Sequence, residues 1–276
     1  MMDVREHLSG RGSEDDIYLS PHSDDVCFSL GAFASRRRAG VLLTVFSVSD
    51  YRTGKPDPEV VRAGGSRPGS LRAGEAGVLA TTLVRMTEDE AFAGRCGLQP
   101  QWLRLKDAQA RGQAPFGASD AREIARSLEQ PLMRALLAPT VGRKAEPRPW
   151  LFCPAGIGGH VDHVAVLMLV ASQIDALEKH YRIAFYEDLP YASNPSTRDA
   201  AWQLLRQSVQ PRELERCRFD LPDASAQALK MALVNLHPSQ LTARLRSIAA
   251  FTPATGDSPS PHEALWVLQD RHQRPG

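Results

Sequence analysis

The segment Ile17-Tyr18-Leu19-Ser20-Pro21-His22-Ser23-Asp24-Asp25 places one histidine and two adjacent aspartates directly after a short apolar run. Residues 17–20 have the composition of a short buried strand. Apolar residues at helical spacing follow and predict a helix over 26–39. The polar cluster therefore lies where a strand passes into a helix, and ligands of open α/β sheets bind outside these strand ends.

A second polar cluster, His160-Val161-Asp162-His163, has the same surroundings. The apolar run 150–153 before it predicts another buried strand, and the apolar residues after it predict a helix over 164–177. We therefore expect both clusters to lie at the carboxyl ends of strands.

Strands alternate with helices along the rest of the chain, which indicates a mainly parallel sheet. The run 41–48 is apolar on both faces, as in the middle of such a sheet. We predict one Rossmann-like, doubly wound α/β domain over 1–276, with helices on both faces, a flexible segment at 1–14 and a C-terminal tail at 262–276. Further strands are predicted at 102–105, 182–186 and 216–221, and helices at 71–83, 120–138, 198–205 and 224–236.

Composition excludes several classes of protein. The 33 Lys and Arg against 32 Asp and Glu give a net charge of +1, so no strong field recruits nucleic acid or an anionic membrane. The four cysteines form no C-x-x-C pair, which argues against a zinc ribbon and a disulfide framework. No membrane span or secretory signal is recognisable. We expect a cytoplasmic protein with no nucleic-acid partner, and a homo-oligomer is compatible with the sequence.

The two clusters together contain the donors of a hydrolytic zinc site. Such a site is usually held by three protein groups and a water, with histidine nitrogen and carboxylate oxygen as donors. His22, Asp25 and His163 make one such set, which predicts one Zn²⁺ per chain, with other divalent ions as alternatives. Adjacent aspartates at a helix start point in different directions, so Asp24 is expected to face the substrate and to take a proton from water.

The second cluster contains a further histidine outside this set. His160 lies three residues before His163 and is predicted on the same side of the first helical turn. Attack on an amide builds negative charge on its oxygen and requires a proton for the departing amine, and a charged His160 meets either need. Asp162 is expected to orient an imidazole. Gly158 and Gly159 are expected to leave space at the mouth of the site.

At these residues the chain resembles the PIG-L/LmbE family of zinc-dependent N-deacetylases, whose signatures are Pro-His-x-Asp-Asp and His-x-Asp-His. The resemblance implies removal of an acetyl group from an N-acetylglucosamine-type sugar in a glycoconjugate or a sugar-containing metabolite. The site residues it implies are the zinc ligands His22, Asp25 and His163, the general base Asp24, the oxyanion or amine partner His160, and Asp162 as the residue that orients His160.

The resemblance also implies substrate-binding residues. Arg72 resembles the substrate-binding arginine of the family, with a surface ion pair to Glu75 as the alternative. Asp107 follows a predicted strand, with capping of the next turn as the alternative.

The chain departs from some members of the family beside the second cluster, where Gly158 replaces a tyrosine. Tyr191 is a candidate to reach the site from the next strand end, with simple packing as the alternative. Glu187 and Asp188, just before it, are candidates to bind sugar hydroxyls.

Three other functions compete with this interpretation of the sequence. An amidase that cleaves a thiol conjugate of an amino-sugar cofactor would use the same catalytic groups. A nucleotide-binding or oxidoreductase domain is disfavoured because no G-x-G-x-x-G follows the first strand. A metal-binding scaffold without catalysis would bind the ion and hydrolyse no N-acyl sugar.

Overall fold

The computed structural model describes residues 4–51, 73–116, 120–142, 147–242, 245–254 and 260–269. Within them one seven-stranded sheet has the order β3-β2-β1-β4-β5-β7-β6. The strands are β1 (Ile17–Ser20), β2 (Val41–Thr44), β3 (Gln99–Trp102), β4 (Trp150–Pro154), β5 (Arg182–Tyr186), β6 (Leu214–Asp220) and β7 (His262–Leu268).

Helices cover both faces of this sheet. They are α1 (Val4–Ser9), α2 (Asp25–Arg37), α3 (Ala73–Cys96), α4 (Ala121–Leu137), α5 (Val161–Ser172), α6 (Ile174–Leu177), α7 (Pro195–Val209) and α8 (Ala224–Val234). Alternate residues of a strand point to opposite faces. Accordingly Leu19 of β1 packs in a core with α4, α5 and α7, whereas Tyr18 packs in a second core with α2, α3 and α8.

The predicted fold class is confirmed, because β1 to β5 pair in parallel and the antiparallel pairings are those of β7 with β5 and with β6. The tail predicted at 262–276 is wrong over 262–268. That run forms β7 between β5 and β6, where all of its apolar side chains except the partly buried Trp266 are buried. Entry into the sheet removes these apolar side chains from water, which stabilises the fold more than leaving them exposed in a tail.

The flexible start predicted at 1–14 is also wrong for the part that the structure describes. Residues 4–9 form α1, and Leu8 is fully buried. The buried guanidinium of Arg37 donates to the carbonyls of His7 and Leu8 and pairs with Asp16 at 2.6 Å. These contacts hold the N-terminal segment against the end of α2.

Several predicted boundaries differ from the structure. β2 ends at Thr44, and only a single bridge from Val48 continues it. β3 lies at 99–102 rather than 102–105, because an edge strand is half exposed and does not require the apolar residues that suggested the later position. α3 continues to Cys96, thirteen residues beyond the predicted end. None of the helices in the described residues is long and apolar enough to cross a membrane.

The extension of α3 carries a buried carboxylate that joins three elements. Asp89 Oδ2 accepts hydrogen bonds from Thr44 Oγ1 of β2 at 2.7 Å and from Trp102 Nε1 of β3 at 3.0 Å. Its Oδ1 has no partner among the described residues. Burial therefore raises the pKa of Asp89 to about 8.

We expect this carboxyl group to make stability depend on pH. Its pKa is higher in the folded state than the value of about 4 in the unfolded chain, so the folded protein binds the proton more tightly. The free energy of unfolding therefore falls as pH rises from about 4 to about 8, by at most roughly 5 kcal/mol. Asp89→Asn keeps an acceptor oxygen and should flatten this decline in urea titrations. The control Glu90→Gln, at an exposed neighbour, should keep it; an unchanged slope in Asp89→Asn would contradict the assignment.

Candidate metal and active site

The loops after β1 and β4 meet at one edge of the sheet. β1 pairs with β4 in parallel, with Ile17 opposite Leu151, so both strands end at the same level. The strand order reverses between them, since β2 and β3 lie on one side and β5 on the other. This is the switch point at which open α/β sheets bind ligands.

Three donor atoms converge in this crevice. Asp25 Oδ2 lies 3.2 Å from His22 Nδ1 and 3.2 Å from His163 Nε2, and the two nitrogens are 3.3 Å apart. A tetrahedral zinc ion with ligands at about 2.0–2.1 Å separates its ligand atoms by roughly 3.3 Å. The three atoms therefore fit three corners of a tetrahedron, and the residues present suit a divalent cation with one open position.

A second combination of donors is available. Ring nitrogens of His22, His160 and His163 all lie within 4.8 Å of one another. However, His160 Nδ1 accepts a hydrogen bond from the Asp162 amide at 3.2 Å. The three donor–donor distances of the set that includes Asp25 are closer to the separation of ligand atoms around a tetrahedral ion. The set His22, Asp25 and His163 is therefore the better fit to one ion.

The charges in the triangle support each other. Burial acts to raise the pKa of Asp25, but His163 and His22 outweigh it and hold that pKa well below its usual range. Burial acts to lower the pKa of His22, but Asp162 and Asp25 raise it to about 9. The site thus stabilises positive charge between its carboxylates.

Each imidazole of the triangle is held by a carboxylate on its other nitrogen. His163 Nδ1 lies 2.7 Å from Asp188 Oδ1, and the Ile157 amide donates to Asp188 Oδ2 at 3.0 Å. The prediction that Asp188 binds sugar hydroxyls is therefore wrong, because this carboxylate is buried and both of its oxygens are occupied. Carboxylates in this position orient metal-binding histidines.

Asp162 orients the other histidine of the triangle rather than His160. Its Oδ2 lies 3.0 Å from His22 Nε2 but 3.9 Å from His160 Nδ1. Arg111 Nη2 at 2.5 Å and the Ala108 amide at 3.0 Å also bind this carboxylate. The sequence predicted an orienting role for Asp162 but assigned it to the wrong imidazole, because the start of α5 turns the side chain toward the first cluster.

His160 caps α5 instead of lying in its first turn. Its Nδ1 accepts from the Asp162 amide, so a neutral ring carries its proton on Nε2. Burial, followed by the charges of His22 and His163, lowers its pKa far below the ordinary histidine value. The hydrogen bond at Nδ1 favours a neutral ring that donates from Nε2, and the charged His160 expected from the sequence stays a prediction.

Asp24 points into the crevice and has a partner that the sequence did not reveal. Arg85 of α3 donates from Nη2 to Asp24 Oδ1 at 2.6 Å and from Nη1 to Ser49 Oγ at 3.0 Å. Burial raises the pKa of Asp24, Arg85 opposes this, and the charge of Asp25 adds to it. Arg85 lies beyond the predicted end of its helix, and no local pattern marked it.

A cavity of about 300 Å³ opens over these groups. It is lined by His22, Asp24, Asp25, Tyr51, Arg85, Asp107, Gln109, Pro115, Phe116, His160, His163, Tyr191 and Gln240. The predicted Asp107 and Tyr191 are thus in the wall, although Asp107 Oδ1 also accepts from the Ala110 amide at 2.8 Å, as expected for a turn cap. Sequence reasoning missed the aromatic rings of Tyr51 and Phe116 and the amides of Gln109 and Gln240. The predicted Arg72 lies outside the described residues.

Glu187 is not part of this cavity, which corrects its predicted role. Its carboxylate is fully buried and accepts from Arg198, Arg216 and the Trp266 indole. It lines a separate cavity of about 200 Å³ together with Trp202 and Trp266. Two guanidinium groups occupy the oxygens of Glu187. The carboxylate therefore joins the end of β5 to α7, β6 and β7, which carry Arg198, Arg216 and Trp266.

The two glycines before the second cluster differ in their surroundings. Gly159 faces open space, as predicted. A Cβ on Gly158, however, would lie 2.4 Å from Cγ of Tyr191, so the ring fills the space expected to be empty. Gly158 also has a φ of +96°, which side chains rarely adopt. The glycine is therefore required for Tyr191 to stand in the cavity wall.

This contact predicts a difference between two neighbouring substitutions. Gly158→Ala should lower the free energy of unfolding by roughly 2–5 kcal/mol through strain and overlap, and Gly159→Ala, at φ +71° in open space, by only about 1–2 kcal/mol. Urea denaturation measures both. Adding Tyr191→Ala should recover part of the loss in Gly158→Ala; equal costs at the two positions, or no recovery, would contradict the contact.

A sheet whose switch point carries two imidazoles and a carboxylate around one point offers the donor types that hydrolytic metal sites use. Among known proteins, the chain is 30% identical over 179 residues to the 2'-N-acetylparomamine deacetylase of Streptomyces fradiae. The match covers 64% of this chain and 57% of that relative's length. No family model matches the sequence.

Solved structures share the fold. A deacetylase of teicoplanin biosynthesis superposes with a TM-score of 0.62 at 19% identity, covering 94% of this chain and 99% of that one. A structure described as the zinc-inhibited form of teicoplanin deacetylase has a TM-score of 0.58 at 17% identity, covering 94% and 99%. The resemblance to N-deacetylases predicted from the two motifs is confirmed by sequence similarity to one deacetylase, and the solved structures share the predicted fold.

Proposed function

We propose that this protein is a metal-dependent hydrolase that removes the N-acetyl group of an N-acetylglucosamine-type amino sugar. The observation that carries the proposal is the triangle of His22 Nδ1, Asp25 Oδ2 and His163 Nε2, with the carboxylate of Asp24 beside it in one cavity. The relative named for its action on 2'-N-acetylparomamine supports the reaction type and a sugar-like substrate.

His22, Asp25 and His163 would hold the cation, and we propose zinc, one ion per chain. When bound, such an ion supplies Lewis acidity, which lowers the pKa of water and polarises an amide carbonyl. The carboxylates Asp162 and Asp188 keep the two imidazoles in the orientation that exposes their ligand nitrogens.

Asp24 would be the general base. Arg85 occupies its Oδ1, which leaves Oδ2 to take a proton from the attacking water. As the hydroxide adds to the amide carbon and the C–N bond breaks, the same oxygen returns this proton to the departing amine. His160 would donate from Nε2 to the carbonyl oxygen as its negative charge grows.

The cavity wall supports a sugar as the substrate. Phe116 is 57% exposed at the wall, and flat apolar rings of this kind pack against the C–H face of a pyranose. Gln109, Gln240 and Asp107 add polar groups that suit hydroxyls. The four cysteines are buried free thiols, in keeping with the cytoplasmic location that we propose.

The proposal predicts different effects for the two neighbouring aspartates. Asp24→Asn should retain zinc and lower kcat by roughly 10²- to 10⁴-fold, because the base is removed and the ligands are not. Asp25→Asn should lose zinc affinity. Metal content by mass spectrometry and free-amine release from a panel of N-acetylglucosamine conjugates measure both effects.

The same assay tests the proposal as a whole. Chelator-treated protein should regain activity with about one equivalent of zinc, and higher amounts should be included because a similar structure is described as zinc-inhibited. Bound zinc without amine release from any conjugate would indicate a scaffold without catalysis. Equal loss of zinc in both aspartate variants would show that the two carboxylates are assigned wrongly.

Arg85 gives a further prediction, since it orients the proposed base without touching the ion. Arg85→Met should lower kcat by roughly tenfold or more with zinc content unchanged, because Asp24 loses its fixed direction. Added guanidinium should restore part of the rate. Arg95→Met, on an exposed part of the same helix, is the matched control and should leave kcat unchanged; an unaffected Arg85→Met would contradict the role.

A further inference from the structure

Helix α2 begins with the ligand Asp25 and is interrupted one turn later. Leu30 has φ −127° and ψ 18°, which are not helical values. A buried ion pair from two distant elements fills this interruption. Lys230 of α8 and Glu263 of β7 have fully buried side chains, with Nζ 2.5 Å from Oε1.

The pair binds backbone groups on both sides of the interruption. Lys230 donates to two carbonyls before it, and Glu263 accepts from two amides after it. The distances are 3.2 Å to Cys27 O, 2.7 Å to Phe28 O, 2.9 Å from Ala32 N and 2.7 Å from Phe33 N. In a regular helix the amide of Ala32 would bond the carbonyl of Phe28. The ion pair therefore stands between groups that would otherwise bond each other.

The interruption separates the first turn of α2 from the rest of the helix, and a hydrogen bond joins this turn to the loop that carries Asp188. Ser29, its last residue before the interruption, accepts at Oγ from the Leu189 amide at 3.0 Å. Leu189 directly follows Asp188, which holds His163. A change in the direction of this turn would move Asp25 relative to His163.

We propose that Lys230 and Glu263 are positioning residues of the metal site, holding α2 open at Leu30 so that its first turn presents Asp25 Oδ2 to the two imidazoles. The nature of the bound group as a divalent cation rests on the proposed function. Packing alone does not require a charged pair here, because apolar side chains of similar size fill such space without desolvating two charges. The four backbone hydrogen bonds are needed only if the helix stays interrupted.

The same helix offers a matched comparison at its far end. Arg37 and Asp16 form another buried ion pair at 2.6 Å, and Arg37 also binds backbone carbonyls. It lies in the last turn of α2, away from the motif aspartates. Loss of either pair removes a buried interaction from α2, but only the pair at Leu30 acts on the turn that carries Asp25.

The experiment is zinc titration calorimetry on the full chain, with folding checked by circular dichroism. Lys230→Met combined with Glu263→Leu lets the helix close, and the zinc dissociation constant should rise roughly 10- to 100-fold, as for loss of groups that orient metal ligands. Arg37→Met combined with Asp16→Leu should leave it within about twofold.

Unchanged zinc affinity in a folded Lys230/Glu263 variant would overturn the proposal, as would an equal loss in the Arg37/Asp16 control. If the double variant does not fold, Glu263→Gln, which keeps one acceptor oxygen, should give a smaller loss of affinity, and no loss would again overturn it. Wild-type protein that binds zinc but releases no acetate would contradict the deacetylase alone, since the affinity comparison does not depend on turnover.

Discussion

The parallel pairing of β1 with β4 is the constraint on which the site depends. Its register, Ile17 opposite Leu151 and Tyr18 opposite Phe152, brings the ends of two strands that are far apart in the chain to the same level. The neighbouring strands then lead away on opposite sides and leave a crevice between the two loops. Donor atoms carried on those loops can approach within about 3.3 Å of one another only because the strands beneath them are neighbours.

The buried charges of the crevice are arranged so that each one has a fixed partner. Arg85 holds Asp24, Arg111 holds Asp162, and a backbone amide holds Asp188. A buried charge without such a partner is costly, so these contacts are a condition of folding as well as of function. They also leave the ligand nitrogens of the two imidazoles directed toward Asp25. The site is thus preorganised by groups outside the triangle itself.

The fold class and both motif positions were predictable because they depend on local patterns. Apolar runs marked β1, β4 and β5, and polar clusters after two of them marked the loops. Prediction failed where burial by remote elements decided the outcome: β7 was taken for a tail, α3 was ended too early, and Glu187 was placed in the wrong cavity. A short window of sequence carries no information on which distant strand or guanidinium will lie beside it.

The sequence by itself determined which donor types this protein carries and that they follow strand ends, because composition and spacing control strand, loop and helix locally. Only the tertiary structure decided which atom faces which. It directed Asp162 to His22 and Asp188 to His163, brought Arg85 to Asp24, and filled the space beside Gly158 with Tyr191. These pairings join elements that are remote in the chain, and their distances are set by how helices and strands pack in three dimensions.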